Sequence, residues 1–127
     1  MARPVGDVVG ELQEAVRAGA DLVGRGRSAW DADRVHRLAG EAIISRVGEA
    51  VVQLPEEVRA AMPSVPWREW RAQRNLVAHV QHRIDPQLLW VTLDRDLPAL
   101  GRALGRWQQR SLQRESTPTP APAALGL

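Results

Sequence analysis

The sequence predicts an all-α fold: an up-and-down helical bundle of four long helices plus a short one. Three observations carry this. Apolar residues recur at helical spacing through four separate stretches, and no segment alternates in the manner of a strand. Gly- and Pro-containing breaks separate the stretches, and no internal repeat is present. The 127 residues match one ordinary domain, and 44% hydrophobic content suffices for a core.

The first helix spans Val5 to Val23. Val5, Val8, Val9, Leu12, Ala15, Val16, Leu22 and Val23 form one stripe. Gly19 falls on that stripe, where it either permits a close helix contact or weakens the helix locally. Gly24-Arg-Gly-Arg-Ser28 breaks it. Asp31 or Asp33 then caps a second helix. Its expected stripe is Val35, Leu38, Ala42, Ile43, Val47, Ala50, Val51 and Leu54. Pro55 stops this helix or opens a short one through Ala61, and Met62-Pro-Ser-Val-Pro66 reads as a turn.

A third long helix begins at Trp67, behind Val65-Pro66, and runs without Gly or Pro to Asp85. Asp85-Pro86 is a cap followed by Pro at the first helical position, and helix continues from Gln87 to Leu93. Asp96 with Pro98 either kinks that helix or starts another. Leu97, Leu100, Leu104 and Trp107 form the last stripe. The domain is expected to cover 1–113, and 114–127 to be a Pro-rich disordered tail.

Composition excludes several classes of chemistry. There is no Cys, so disulfides, thiolate nucleophiles and Cys-based zinc sites are ruled out. No apolar run resembles a signal peptide or approaches the ~20 residues needed to span a bilayer, so the expected setting is the cytoplasm, away from membrane. All 17 basic residues are Arg, which raises the pI to 10.8 although net charge is only +2. No footprint for duplex DNA covers the whole protein, so nucleic-acid binding has to be local. Trp30, in a polar loop, and Trp67, off the main apolar sector of its helix, either anchor an interface or fold back onto the core.

The chain is organised around Trp67–Asp85. With Trp70 at zero and about 100° per residue, Leu76, Val77, Val80 and Ile84 share its sector. Arg71, Asn75, His79 and His82 fall opposite, and Arg74 and Gln81 lie together at one border. Such a helix can pack on one face and handle an anion on the other. His suits proton transfer near neutrality, and Arg offers a permanently charged fork that fits phosphate oxygens. Asn75 lies one turn before His79, where it can orient the imidazole or donate to phosphate. Arg74 and His79 are separated by roughly 140° on an ideal helix. Either the Arg side chain reaches around, the helix ends near His79, or a second subunit completes the site.

Arg74-Asn75-x-x-x-His79 resembles the R-x4-H signature of the HEPN superfamily. Four further pieces resemble the HepT-like ribonuclease toxins in order: Gly48-Glu49-Ala50, Leu54-Pro55-Glu56-Glu57-Val58-Arg59, Val65-Pro66-Trp67-Arg68, and Ile84-Asp85 with Leu89-Trp90 and Asp96-Leu97-Pro98. The resemblance implies a HEPN-like bundle and a homodimer whose R-x4-H helices line one cleft. It also implies metal-independent endoribonuclease activity, without a cofactor, neutralised by a nucleotidyltransferase-type antitoxin.

On that resemblance Arg74 stabilises the phosphate, His79 transfers the proton and Asn75 supports them. Arg71, Gln81, His82 and Arg83 are the expected RNA-backbone contacts, with Arg68 extending the same basic stripe, or these residues simply form a solvated face. The family usually carries Tyr at the position of Gln81, a residue that the antitoxin can adenylylate; Gln has no phenolic oxygen to accept the nucleotide. The rival expectation is a catalytically impaired module of the same fold that binds a nucleotidyltransferase-like protein or a nucleotide. His79-x-x-His82 could ligate a metal, but no third ligand is convincingly placed, so no metal is expected. Glu49 can reach the active-site helix and pair with an Arg, or it can be a surface carboxylate. Arg25 and Arg27 around Gly26 form an anion-binding loop or, more simply, a turn.

Overall fold

The computed structural model describes residues 3–78 and 85–116, with residues 75–78 and 116 described by their backbone. Among them every regular element is helical. The order is α1 (Val5–Gly24), α2 (Arg27–Ala32), α3 (Arg34–Val51), α4 (Glu56–Ala60), α5 (Trp67–Ala78), α6 (Pro86–Val91), a π turn (Thr92–Asp96) and α7 (Leu97–Ser116). The four long helices α1, α3, α5 and α7 pack as an all-α bundle, α3 lying against both α1 and α5 and α7 closing on α1. Residues 117–127, most of the expected tail, lie outside the described residues.

The single expected short helix becomes three. The break after α1 shrinks to Arg25 and Gly26, and Gly26 takes a φ of 98°, a left-handed conformation that glycine adopts without a Cβ penalty. α2 starts at once, and Trp30 sits on it rather than in a loop. Asp33 is the cap of α3, its side chain accepting from the Val35 amide at 2.8 Å. Asp85 caps α6 in the same way, accepting from Gln87 at 2.9 Å, with Pro86 at the first helical position.

Trp30 is only 1% exposed. Its ring packs 5.5 Å from the Trp90 ring, and its Nε1 donates to the Pro86 carbonyl at 3.2 Å. Arg27 lies over the other aromatic partner, 5.3 Å from the Trp90 centroid. Trp67 is half-buried, and its Nε1 donates to the carbonyls of Arg59 and Met62 at 3.0 and 3.1 Å. Both Trp residues therefore fold back onto their own chain. An indole that has a polar partner can be buried at little cost.

The C-terminal half of the α3 stripe, Val47, Ala50, Val51 and Leu54, is buried as expected, and only the N-terminal half departs. Val35 and Leu38 are 62% and 57% exposed, whereas Gly40, Ile44, Val47, Gly48 and Val51 are buried. The buried positions follow i, i+4, i+7, i+8, i+11, a single helical face. Two of them are glycines, which contribute nothing to a hydrophobic pattern. At Gly40 a β-carbon would lie 2.9 Å from the Trp30 ring and 2.8 Å from Leu93, so the missing side chain is the space those residues fill. Gly19 plays the same part on α1, against Leu97, which settles its role as a close contact.

Just before Pro98 a π turn separates α6 from α7, so the second expected alternative, a further helix, is the one seen. The Leu97 amide donates to the Thr92 carbonyl, five residues back, which joins the π turn to the start of α7. Pro98 has no N–H to return to the preceding turn, and the widened register lies just before it. Among the described residues no helix is long and apolar enough to cross a membrane.

Candidate active site

The site is built where α5 crosses α3. Trp70 is buried and fastens one side of α5 to the core. Arg68, Arg71 and Arg74 are exposed, as the helical wheel requires. Arg71 borders a hollow with Glu56, Arg59, Ala60, Pro63 and Trp67, so it stands on the outer surface of α5.

Arg74 is held in two ways. Its backbone lies directly on Gly48: a β-carbon there would sit 2.8 Å from both the amide nitrogen and the Cβ of Arg74. Its guanidinium reaches back across the same crossing, and Nε donates to Glu49 Oε1 at 2.8 Å. The two side chains are 45% and 49% exposed. In that setting the pair adds at most about 1 kcal/mol to stability. Its importance lies in orientation. One donor of the guanidinium is engaged, and the Nη1–Nη2 fork is the edge that fits two phosphate oxygens.

Asn75 continues α5 one residue further. His79, Gln81, His82 and Arg83 lie outside the described residues, so the distance from Arg74 to His79 is not part of this geometry. The segment they occupy is bracketed by two fixed points. On one side α5 is pinned to α3 at Gly48. On the other, α6 is pinned through the Pro86 carbonyl to Trp30. No group of three His, Asp or Glu residues that could hold a metal occurs among the described residues.

Two contributors have roles that motifs alone do not reveal, although Gly48 belongs to the Gly48-Glu49-Ala50 piece. Gly48 is needed for the approach of the helices, and Trp30 anchors the far end of the motif segment. The first could have been suspected because Gly48 lies i+4 from Ile44 on a buried face. The second had no signal, since its partner is a backbone carbonyl 56 residues away.

The family model for ribonuclease HepT-like proteins matches residues 12–106, which run from within α1 to the middle of α7 and contain the whole Arg74–His79 motif. The chain belongs to the HepT-like ribonuclease family. Individual relatives match over shorter stretches. A protein named "Probable ribonuclease HepT" from Thermococcus cleftensis is 33% identical over 54 residues, covering 42% of this chain and 49% of that protein. "Putative RNase TTE0752" from Caldanaerobacter subterraneus subsp. tengcongensis is 33% identical over 54 residues, covering 42% and 48%. A similarly named RNase of Methanocaldococcus jannaschii is 35% identical over 54 residues, covering 42% and 50%. The chain spans about half the length of these curated relatives. No solved structure matches it significantly.

Proposed function

We propose that this chain is a metal-independent endoribonuclease of the HepT-like type, acting as the toxin of a toxin–antitoxin pair in the cytoplasm. The observation that carries the reading is the family match across residues 12–106, which includes Arg74, Asn75 and His79 in the R-x4-H order. The position of Arg74 supports it: a cation anchored at a helix crossing yet half-exposed can meet a polyanion without opening the core.

In the proposed reaction the ribose 2′-oxygen attacks phosphorus, and the bond from phosphorus to the 5′-oxygen breaks. His79 takes the 2′-hydroxyl proton or returns one to the leaving oxygen, and a homodimer supplies two copies of it. Arg74 stabilises the charge on the phosphate, Asn75 steadies the imidazole or the phosphate, and Arg71, Gln81, His82 and Arg83 track the RNA backbone. Such a proton-transfer group contributes on the order of 10² to 10⁴ in rate. Exposed Val35 and Leu38, beside a groove of about 340 Å³ between α1 and α3, offer apolar surface for a partner, whether a second copy or the nucleotidyltransferase-type antitoxin.

One observation favours a second reading, in which the chain is an impaired module that binds the nucleotidyltransferase: position 81 is Gln, where the resemblance to the HepT-like toxins implies Tyr. Purified protein incubated with total RNA and with tRNA in EDTA separates the two. Cleavage that survives EDTA and vanishes in Arg74→Ala and His79→Ala supports the ribonuclease. A folded, inert wild-type protein supports the binding module.

A further inference from the structure

Glu49 stands one residue beyond the glycine that lets α5 sit on α3, so its carboxylate emerges beside the Arg74 backbone. Its Oε1 accepts the Nε–H of Arg74 at 2.8 Å. Among the described residues this is the ion pair that Arg74 makes. The backbone contact fixes where the Arg side chain begins, and the Nε bond fixes how its planar group is turned. Nε lies on one edge of the guanidinium, so the bond turns the planar group and, among the described residues, leaves Nη1 and Nη2 without a hydrogen bond to the protein. A long flexible side chain is thereby ordered before any anion arrives, which removes part of the entropic cost of binding one.

We propose that Glu49 is the positioning residue for Arg74, setting the guanidinium for the scissile phosphate while making no contact with RNA itself. The assignment rests on the ribonuclease reading above. Glu49 also brings a negative charge close to the RNA backbone, so its two effects oppose each other. It improves the geometry of the reaction and weakens ground-state attraction to phosphate. Removing it should lower kcat and leave KM unchanged or lower. A merely structural residue would not produce that split, and its loss would show as lowered stability.

The test compares wild type, Glu49→Gln, Glu49→Ala, Arg74→Ala and the double variant Glu49→Ala/Arg74→Ala on one RNA substrate in EDTA. The Arg Nε–H NMR signals of wild type, Glu49→Gln and Glu49→Ala are recorded beside the kinetics. The amide oxygen of Gln can accept the same N–H, so Glu49→Gln should keep kcat within about threefold, whereas Glu49→Ala should lose about tenfold at unchanged or lower KM. The double variant should be no slower than Arg74→Ala, because Glu49 acts only through that residue. The Arg74 Nε–H should exchange slowly with solvent in wild type and Glu49→Gln, and quickly in Glu49→Ala.

A Glu49→Ala enzyme as fast as wild type overturns the proposal. So does one that is faster at lower KM, which would make Glu49 a competitor for the phosphate site. Equal losses in Glu49→Gln and Glu49→Ala also overturn it. If wild type cleaves nothing while the slow Nε–H signal is present, the pair exists but the ribonuclease reading has failed, and the positioning role with it.

Discussion

Gly48 and Arg74 touch backbone to backbone: a β-carbon on Gly48 would lie 2.8 Å from the Arg74 amide nitrogen and 3.0 Å from its Cα. Real Cβ atoms essentially never approach so closely, and the atoms in the way belong to a helix backbone that cannot swing aside. The helix that carries the candidate site is therefore placed by a side chain that is missing.

The first prediction concerns this contact. In an open helix Gly→Ala is favourable by up to about 1 kcal/mol. At Gly48 the clash with α5 outweighs that gain, and Gly48→Ala should destabilise the protein by about 1–3 kcal/mol, measured by urea unfolding. RNA cleavage per folded molecule should fall as well, because the displaced residue is Arg74. An unchanged midpoint would mean that α3 and α5 are not this close.

A second prediction separates the two sides of α3. Ile44 is fully buried, whereas Leu38 is 57% exposed. Ile44→Ala should cost about 2–5 kcal/mol, the usual range for emptying a buried site. Leu38→Gln should stay within about 0.5 kcal/mol in the monomer. Equal costs at the two positions would restore the stripe expected from hydrophobicity alone.

Trp30 offers a third test. Trp30→Phe keeps an aromatic ring against Trp90 but removes the N–H that meets the Pro86 carbonyl. The loss should be about 1 kcal/mol, the net worth of one hydrogen bond, since Pro86 is exposed and water can reach the freed carbonyl. Hydrogen exchange should quicken first at the amides of α6, the helix that this bond secures. Uniform quickening across the bundle would indicate that the bond has no local role.

The fourth prediction concerns Gln81. If a nucleotidyltransferase partner silences relatives of this chain by modifying Tyr at that position, wild type should take no label from radiolabelled ATP there. Gln81→Tyr should become labelled. Mass spectrometry of the peptide around residue 81 reads the outcome. Label on the wild-type peptide at residue 81 itself would contradict the chemistry, because an amide offers no phenolic oxygen.

The all-α class, three of the helix starts and the exposed placement of Arg71 and Arg74 were legible in the residues themselves. They depend on local physics: Asp33 and Asp85 cap, Pro86 opens α6, and the 3.6-residue period puts Trp70 inward and the arginines outward. Glu49 was legible only as a carboxylate able to reach the next helix. Whether it paired depended on the crossing of α3 and α5. Val47, Ala50 and Val51 were legible on the inward face of α3, but its first turns were misread, because Gly40 and Gly48 mark the face by what they lack and their meaning exists only once Trp30 and Arg74 occupy the space. Trp30 itself looked like a loop residue, since a donor 56 positions from its acceptor leaves no local trace. Local pattern thus determined which segments are helices and which sides are polar. The tertiary structure alone decided how closely those helices approach, because close approach depends on the shape of both surfaces at once.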